Sequence, residues 1–463
     1  MKKIINIILI LILSLTSPSY SWANINTTDN TTSDTDTNLK PIKLRRFILS
    51  TCFKKADKFN KEILLASTNL SIAKANMIIA KAIPNPMFNL LYGWGPAWEY
   101  VVAGNNQQFG WTEEIQVLGR RTKKMNVARA NYLQIAFQVE ATRFKVHNQV
   151  RRAYIELAAS HAYANSIKIQ VINSQKLLAI TQKRFDAGKA SGLEVEQAKL
   201  TSRQIAILKD QSIGRLITAS ANLAQLLGET PSCDEIIDVD EKAIFNLTGE
   251  FNSIDPSIKK TLPSLNQLLP AAWKYRNDLK TLIQQAYTDK RNLILANTQR
   301  LPDPFVGFNY MFTSYKPYQP QYFLPGVKVP QQPGYLFSYG QELPLFYQYQ
   351  GQIEQAKNTW LQDFKQNDLL KSQIALDIVL AYEALVSIKK NMDKYQVELL
   401  PASFKVAQLS RRSYELGKID LITALIAQQQ YMQLVFAYFD TIVQYHNAWA
   451  NLEQAIGIPL VNN

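Results

Sequence analysis

Between Gly119 and Asp186 the chain contains no proline and no internal glycine. At 1.5 Å per residue, one helix over that stretch would run about 100 Å, which no compact domain can contain. Residues 352 to 400 behave likewise, with Pro401 placed to kink the helix beyond them. Val139, Val146, Val150, Tyr154 and Leu157 step by sevens, fours and threes, a helix-packing stripe. Helices of this length do not stand alone; they pack side by side, as a coiled coil or a helical barrel.

The chain also repeats itself. Ile83-Pro84-Asn85-Pro86 recurs as Leu301-Pro302-Asp303-Pro304, and Glu114-Ile115-Gln116-Val117-Leu118 as Glu342-Leu343-Pro344-Leu345-Phe346. Phe185-Asp186-Ala187-Gly188-Lys189 recurs as Tyr414-Glu415-Leu416-Gly417-Lys418, and the run from Ala221 to Gly228 as that from Ala450 to Gly457. The landmarks keep their order, so the chain reads as two copies of one unit. The expected divisions are a first helix-strand-strand-helix repeat at 43–228, an inter-repeat segment at 229–270 and a second repeat at 271–458. A C-terminal tail covers 459–463.

Each copy switches periodicity. Residues 43 to 82 read as helix, ended by Pro84 and Pro86. Phe88, Leu90, Tyr92 and Trp94 then alternate with Asn89, Leu91 and Gly93, and Phe109 and Trp111 alternate with Gln108, Gly110 and Thr112. In copy two Val306, Phe308, Tyr310 and Phe312 alternate with Gly307, Asn309, Met311 and Thr313, followed by Tyr335, Phe337 and Tyr339. This period of two predicts strands at about 87–95, 107–118, 304–313 and 335–346. Large aromatics on one face and small or polar residues on the other, over about ten residues, fit a tilted membrane-spanning strand. A soluble, half-buried hairpin shows the same alternation.

The N-terminus tips that balance. Lys2 and Lys3 precede the apolar run Ile4 to Leu15, and Ser21 and Ala23 occupy the small-residue positions of a cleavage site. Residues 1–23 therefore read as a secretory signal peptide and 24–42 as a polar tail. The residue after the cut is Asn24, so no lipid is expected there. No later run offers 18 consecutive apolar residues. A membrane crossing must therefore use strands. Four strands per chain leave open edges whose unpaired backbone groups cost several kcal/mol each in lipid. Several copies must then share one barrel: two chains supply eight strands and a filled interior, three supply twelve and a lumen.

Other chemistry is sparse. The formal net charge is +14, or +12 without Lys2 and Lys3, and the basic residues form no visible cluster of the kind nucleic-acid binding needs. Two cysteines exclude a disulfide-dense scaffold, although Cys52 and Cys233 can pair in an oxidising compartment. His147, His161 and His446 lack metal-ligand spacing, and no phosphate loop or nucleophile elbow occurs. No cofactor, metal or enzymatic activity is expected.

Leader, duplicated halves and these landmarks together resemble the TolC family of outer-membrane efflux proteins, over roughly residues 43 to 458. Arg276-Asn277-Asp278-Leu279, the run Ala296 to Pro304, Leu343-Pro344-Leu345-Phe346 and Gln350-Gly351 are similar to the heavy-metal (cobalt–zinc–cadmium) branch. The resemblance implies an α+β membrane protein: a long α-helical barrel continuous with a transmembrane β-barrel, four strands per chain, closed by trimerisation. It further implies location in the bacterial outer membrane, extending into the periplasm and in contact with outer-membrane lipid. A periplasmic adaptor (membrane fusion) protein and an inner-membrane pump of RND or ABC type are the implied partners. The function implied is a passive exit duct of a tripartite efflux or type I secretion system, gated at its periplasmic tip, with metal ions or drugs as cargo. The turns Ala187-Gly188-Lys189 and Leu416-Gly417-Lys418 match the family's adaptor-contact tip. Glu194, with Glu196 nearby, and Asp420 in copy two are the candidates for pore selectivity; Thr423 and Ile426 replace the acidic positions of the family in copy two. The competing expectation is a soluble periplasmic or secreted coiled-coil adaptor or structural protein.

Overall fold

The computed structural model describes residues 43–93, 104–231, 235–239, 264–315 and 332–460. The leader, the polar tail, Trp94, most of the 314–334 connection, Cys233 and the last three residues lie outside the described residues.

The helical reading of 43–82 requires correction at its start. Lys43–Phe47 is a strand, β1, and Leu49–Phe59 and Lys61–Lys81 form two helices, α1 and α2. β1 pairs in parallel with β4, Glu235–Val239, from Lys43 opposite Glu235 to Phe47 opposite Val239. Parallel strands require a long crossover, and here the first repeat itself supplies it. The partner is therefore invisible in the local sequence. Ile237 and Val239 fill the core, with Phe47 packed against it.

The break between α1 and α2 falls at Asn60, in extended backbone. Its side-chain oxygen accepts from the N–H groups of Glu62 at 2.9 Å and Ile63 at 3.2 Å, capping α2. Its Nδ2 donates to the Leu226 carbonyl at 2.7 Å. The second repeat breaks at Arg276, between α5 (Leu265–Tyr275) and α6 (Asn277–Ala296). α5 thus begins inside the stretch assigned to the inter-repeat segment. Arg276 holds Asp278 at 2.6 Å and donates to the Ala455 carbonyl at 3.2 Å.

The long helices are α3 (Arg120–Asp186), α4 (Gly192–Leu226), α7 (Gln350–Lys394), α8 (Leu400–Glu415) and α9 (Leu421–Ile456). α3 has 67 residues, about 100 Å of rise. Between α7 and α8 lies a π-helical stretch, Tyr395–Leu399, with Pro401 in the first turn of α8. Proline has no N–H to give, and the widened turn before it absorbs the missing bond. α4 and α9 each end at a glycine in left-handed backbone, Gly228 (φ 81°) and Gly457 (φ 85°). Each glycine seats on its own repeat's helix break. A Cβ on Gly228 would come within 2.9 Å of the Phe59 Cβ, and one on Gly457 within 2.8 Å of the Arg276 Cα. The duplicated terminal motif therefore has one packing job, done twice.

The main core gathers Cys52 and Ala56 of α1, Val146, Val150 and Leu157 of α3, Leu223 of α4, Ile374, Ile378 and Leu385 of α7, and Tyr445, Trp449 and Leu452 of α9. Buried Glu453 is paired with Arg151, accepts from the Trp449 indole at 2.9 Å and accepts from the Leu460 N–H at 3.0 Å. A smaller cluster of Leu177, Ala198, Tyr414, Leu421 and Ala424 sits where the two helical hairpins turn.

Met87–Gly93 (β2), Gly104–Glu114 (β3), Phe305–Tyr315 (β5) and Gln332–Gly340 (β6) form an antiparallel sheet in the order β2-β3-β5-β6. β3 and β6 stop short of the positions their alternation implied. Beyond Glu114 the chain instead bonds the loop before β5: the Ile115 N–H donates to the Pro304 carbonyl at 2.8 Å and the Val117 N–H to Asp303 Oδ1 at 2.9 Å. Leu118 and Gly119 then turn through left-handed backbone into α3. Past Gly340, Pro344 offers no ladder donor.

Register lines up the large side chains. Phe88, Trp111, Phe308 and Phe337 form one row across the sheet, and Leu90, Phe109, Tyr310 and Tyr335 the next. Ring centroids lie 5.4 Å apart for Trp111–Phe308, 5.1 Å for Phe308–Phe337 and 5.1 Å for Phe109–Tyr310. The opposite face places Thr112 beside Gly307 and Ser338, and Gly110 beside Asn309. In the single chain this aromatic face is bare: Phe88 is 70% exposed and Phe337 78%.

A candidate gate at the helical tip

The two helical hairpins turn in the same way. After Asp186 the backbone passes through Gly188 at φ 68°; the Gly188 N–H reaches the Phe185 carbonyl at 2.8 Å and the Lys189 N–H the Arg184 carbonyl at 2.7 Å. After Glu415 it passes through Gly417 at φ 75°, with Gly417 bonded to Tyr414 at 2.9 Å and Lys418 to Ser413 at 2.8 Å. Both are Schellman closures, which need a left-handed residue just past the helix end. Gly188, Lys189, Leu416, Gly417 and Lys418 are all exposed, as is Ala187.

Glu194 is engaged rather than free. Ser191 caps α4: its Oγ accepts from the Glu194 N–H at 3.3 Å, and Glu194 Oε1 accepts from the Ser191 N–H at 3.3 Å. The other carboxylate oxygen, Oε2, lies 3.2 Å from the Tyr414 hydroxyl on α8, which is also 3.1 Å from Thr181 Oγ1 on α3. With a single proton, the phenol donates to the charged acceptor, the stronger bond, and its oxygen faces Thr181. Tyr414 is fully buried. Burial raises its hydroxyl pKa above the usual tyrosine range, and the adjacent Glu194 charge adds to the effect. Arg184 completes the tie. Its guanidinium carbon sits 4.6 Å above the Tyr414 ring, one Nη donates to the Tyr414 carbonyl and the other to the Lys189 carbonyl at 3.3 Å. Thr181, Arg184 and Glu194 of the first hairpin are thus joined to Tyr414 of the second.

The three candidate carboxylates have separate partners. Glu196 is exposed and bonded to Lys199 at 2.7 Å, and that hydrogen bond and charge lower its pKa. Asp420, also exposed, accepts from Thr423 just inside α9. Sequence reasoning missed Tyr414, Thr181 and Arg184. The available signal was position: Tyr414 stands three residues before one turn glycine and Arg184 four before the other.

The remaining candidates lie elsewhere. Cys52 is a free, buried thiol, its pKa pushed up to about 11 by desolvation, and Cys233 lies outside the described residues. His147 bonds Asp57 at 2.9 Å and stacks on Phe53, His161 lies 3.4 Å from the Ile237 carbonyl, and His446 is buried beside Tyr445. Among the described residues, no group of three His, Cys, Asp or Glu is placed to hold a metal ion.

The family model for outer membrane efflux proteins matches residues 53–229. No curated protein matches the chain significantly. The fold is similar to that of CusC, with a TM-score of 0.70 at 16% identity over 95% of this chain and 99% of that one. It is similar to the Campylobacter jejuni CmeC outer membrane channel, with a TM-score of 0.68 at 16% identity over 96% and 94%. The open state of the Neisseria gonorrhoeae MtrE outer membrane channel superposes with a TM-score of 0.64 at 14% identity over 96% and 98%. The sequence match covers the first repeat and the shared fold the described length, so the chain is similar to outer membrane efflux proteins in both.

Proposed function

We propose that three copies of this chain close one twelve-stranded barrel in the outer membrane, continued by a helical duct into the periplasm, as the passive exit of a tripartite efflux system. The observation that carries this reading is the sheet. Among the described residues it has two unpaired edges, β2 and β6, and a face of exposed aromatic rows. In hydrocarbon such edges need partners, and identical chains supply them in a closed ring. Aromatic rows are costly in water and favoured against lipid. That argues against the soluble coiled-coil alternative. α2, whose length and hydropathy would allow a membrane span, exposes Leu65, Ile72, Ile78 and Ile79. It also carries Lys74 and Asn76, so we read its apolar side chains as a surface for neighbouring subunits rather than for lipid.

At the far end, the tie among Thr181, Arg184, Glu194 and Tyr414 holds the hairpins closed. When the Tyr414 hydroxyl lets go, three Glu194 carboxylates are freed around the mouth, with Glu196 and Asp420 nearby, and their charge favours cations. The exposed turns at Gly188 and Gly417 are where a periplasmic adaptor would seat, linking the duct to an inner-membrane pump of RND or ABC type. The pump would select the cargo, heavy-metal ions or drugs. Membrane fractionation and planar-bilayer recording test the reading. A detergent-requiring trimer with stepwise conductance is expected; a freely soluble monomer that leaves bilayers silent refutes it.

A further inference from the structure

Between sheet and helices the chain crosses the same level four times: at the end of α2, from β3 to α3, from α6 to β5 and from β6 to α7. Side chains bind these crossings into a collar. Arg120 pairs with Asp303 at 2.7 Å and donates to the Leu301 carbonyl at 2.8 Å, Arg121 donates to the Lys81 carbonyl at 2.9 Å, and Gln341 donates to the Pro302 carbonyl at 3.3 Å.

Two features of the collar are left exposed or without an ion pair among the described residues. The first is apolar: Leu343, Leu345 and Phe346 come after β6 and are 65%, 75% and 102% exposed. The second is cationic. Charges dispersed in the sequence come together here, six cations (Lys81, Arg120, Arg121, Lys123, Lys124, Arg300) against five carboxylates (Glu113, Glu114, Asp303, Glu342, and Glu354, which Lys357 holds). Only Arg120 is consumed in an ion pair; Lys81, Lys123, Lys124 and Arg300 have none among the described residues. Lys123 and Lys124 lie one helical turn beyond Arg120, about 5 Å. That matches the headgroup layer beyond the hydrocarbon, about 5–8 Å thick per leaflet. Going from sheet to helix, the order is aromatic face, apolar finger, lysines. It is the order of acyl chain, interface and phosphate.

We propose that this collar is a binding surface for anionic phospholipid of the periplasm-facing leaflet, with Leu345 and Phe346 in the acyl region and Lys123 and Lys124 on the headgroup phosphates. The leaflet is set by the collar's position on the helical side of the sheet. The proposal rests on the membrane reading above and gives part of the chain's positive charge a partner.

The test reconstitutes the full chain in nanodiscs holding equal phosphatidylglycerol and phosphatidylcholine, and measures retained lipid by native mass spectrometry. Phosphatidylglycerol is expected to be enriched by roughly five-fold for each lysine engaged, and the enrichment should fade at high salt. The double variant Lys123→Gln, Lys124→Gln should insert normally but lose the preference. Phe346→Ser should weaken retention of both lipids. Equal retention in the unaltered protein, or an undiminished preference in the double variant, overturns the proposal and leaves the membrane reading intact. So does a Phe346→Ser variant that dissociates into single chains without changing lipid retention, since the finger would then belong to a neighbouring subunit. If the unaltered protein enters neither lipid, the membrane reading itself fails.

Discussion

Replacing Tyr414 with phenylalanine removes one oxygen from the tip and little else. The ring stays in its cluster with Leu177, Ala198 and Leu421, and the Arg184 guanidinium keeps its place above it. What disappears is the bond to the Glu194 carboxylate, with the contact to Thr181. A hydrogen bond to a charged group contributes about 1.5–3 kcal/mol. Glu194 is half-buried and water can take the vacated site, so the low end applies, about 1.5 kcal/mol. In the gate proposed above, that would shift the closed-to-open ratio of one chain by roughly ten-fold. Three chains opening in concert would multiply the effect to about a thousand-fold, whereas independent opening would leave it near ten. Single-channel recording separates these cases by the dwell time in the high-conductance state. The double variant with Glu194→Gln should add little to either single change, because both act through one bond. An unaltered gating record, or fully additive effects, would refute the tie as the closing element.

The same packing dictates further outcomes. Asp363 on α7 is buried and touches the Asp289 carboxyl; burial, then this neighbour, raises its pKa to about 6. Because the folded value is raised, its contribution is intact at low pH and is lost as pH climbs through 6. Asp363→Asn should therefore raise the melting temperature at pH 7.5 more than at pH 4, and an equal gain at both would remove the explanation. Cys52, with its thiol pushed to about 11, should resist maleimide in the native protein and react only after denaturation. Native labelling at pH 8 would contradict its burial. Arg151→Met strands the buried Glu453 without its cation and should cost about 3–5 kcal/mol in chemical denaturation. Gly457→Ala forces a side chain into left-handed backbone, costing about 1–3 kcal/mol before its clash with Arg276 is counted. A neutral result would mean that the α9 terminus relaxes freely.

Much of the tip was legible because turn chemistry is local. A glycine ending a long apolar-striped helix forecasts a reversal, and both reversals close with the same pair of backbone bonds. The carboxylates were legible as charges near that reversal, but not as partners. Glu194 meets Tyr414 only because α8 is laid against the first hairpin, a juxtaposition of residues 220 apart in sequence. The break at Asn60, inside the stretch read as helix, and the break at Arg276 went unread for the same reason. Neither residue type forbids a helix, and the breaks exist because Gly228 and Gly457 need those places to pack.

By itself the amino-acid order determined what each stretch could be. Absence of proline and glycine made α3 a helix, alternation of aromatics with small residues made the four strands, and duplicated landmarks marked two similar halves. These are effects of neighbours within a few residues, where backbone preference and side-chain periodicity act. Which stretches meet was left to the tertiary structure: β3 lying beside β5, β1 reaching across a whole repeat to β4, a tyrosine of one hairpin reaching a glutamate of the other. Such pairings depend on buried area and hydrogen bonds summed over surfaces that exist only once the long helices are side by side.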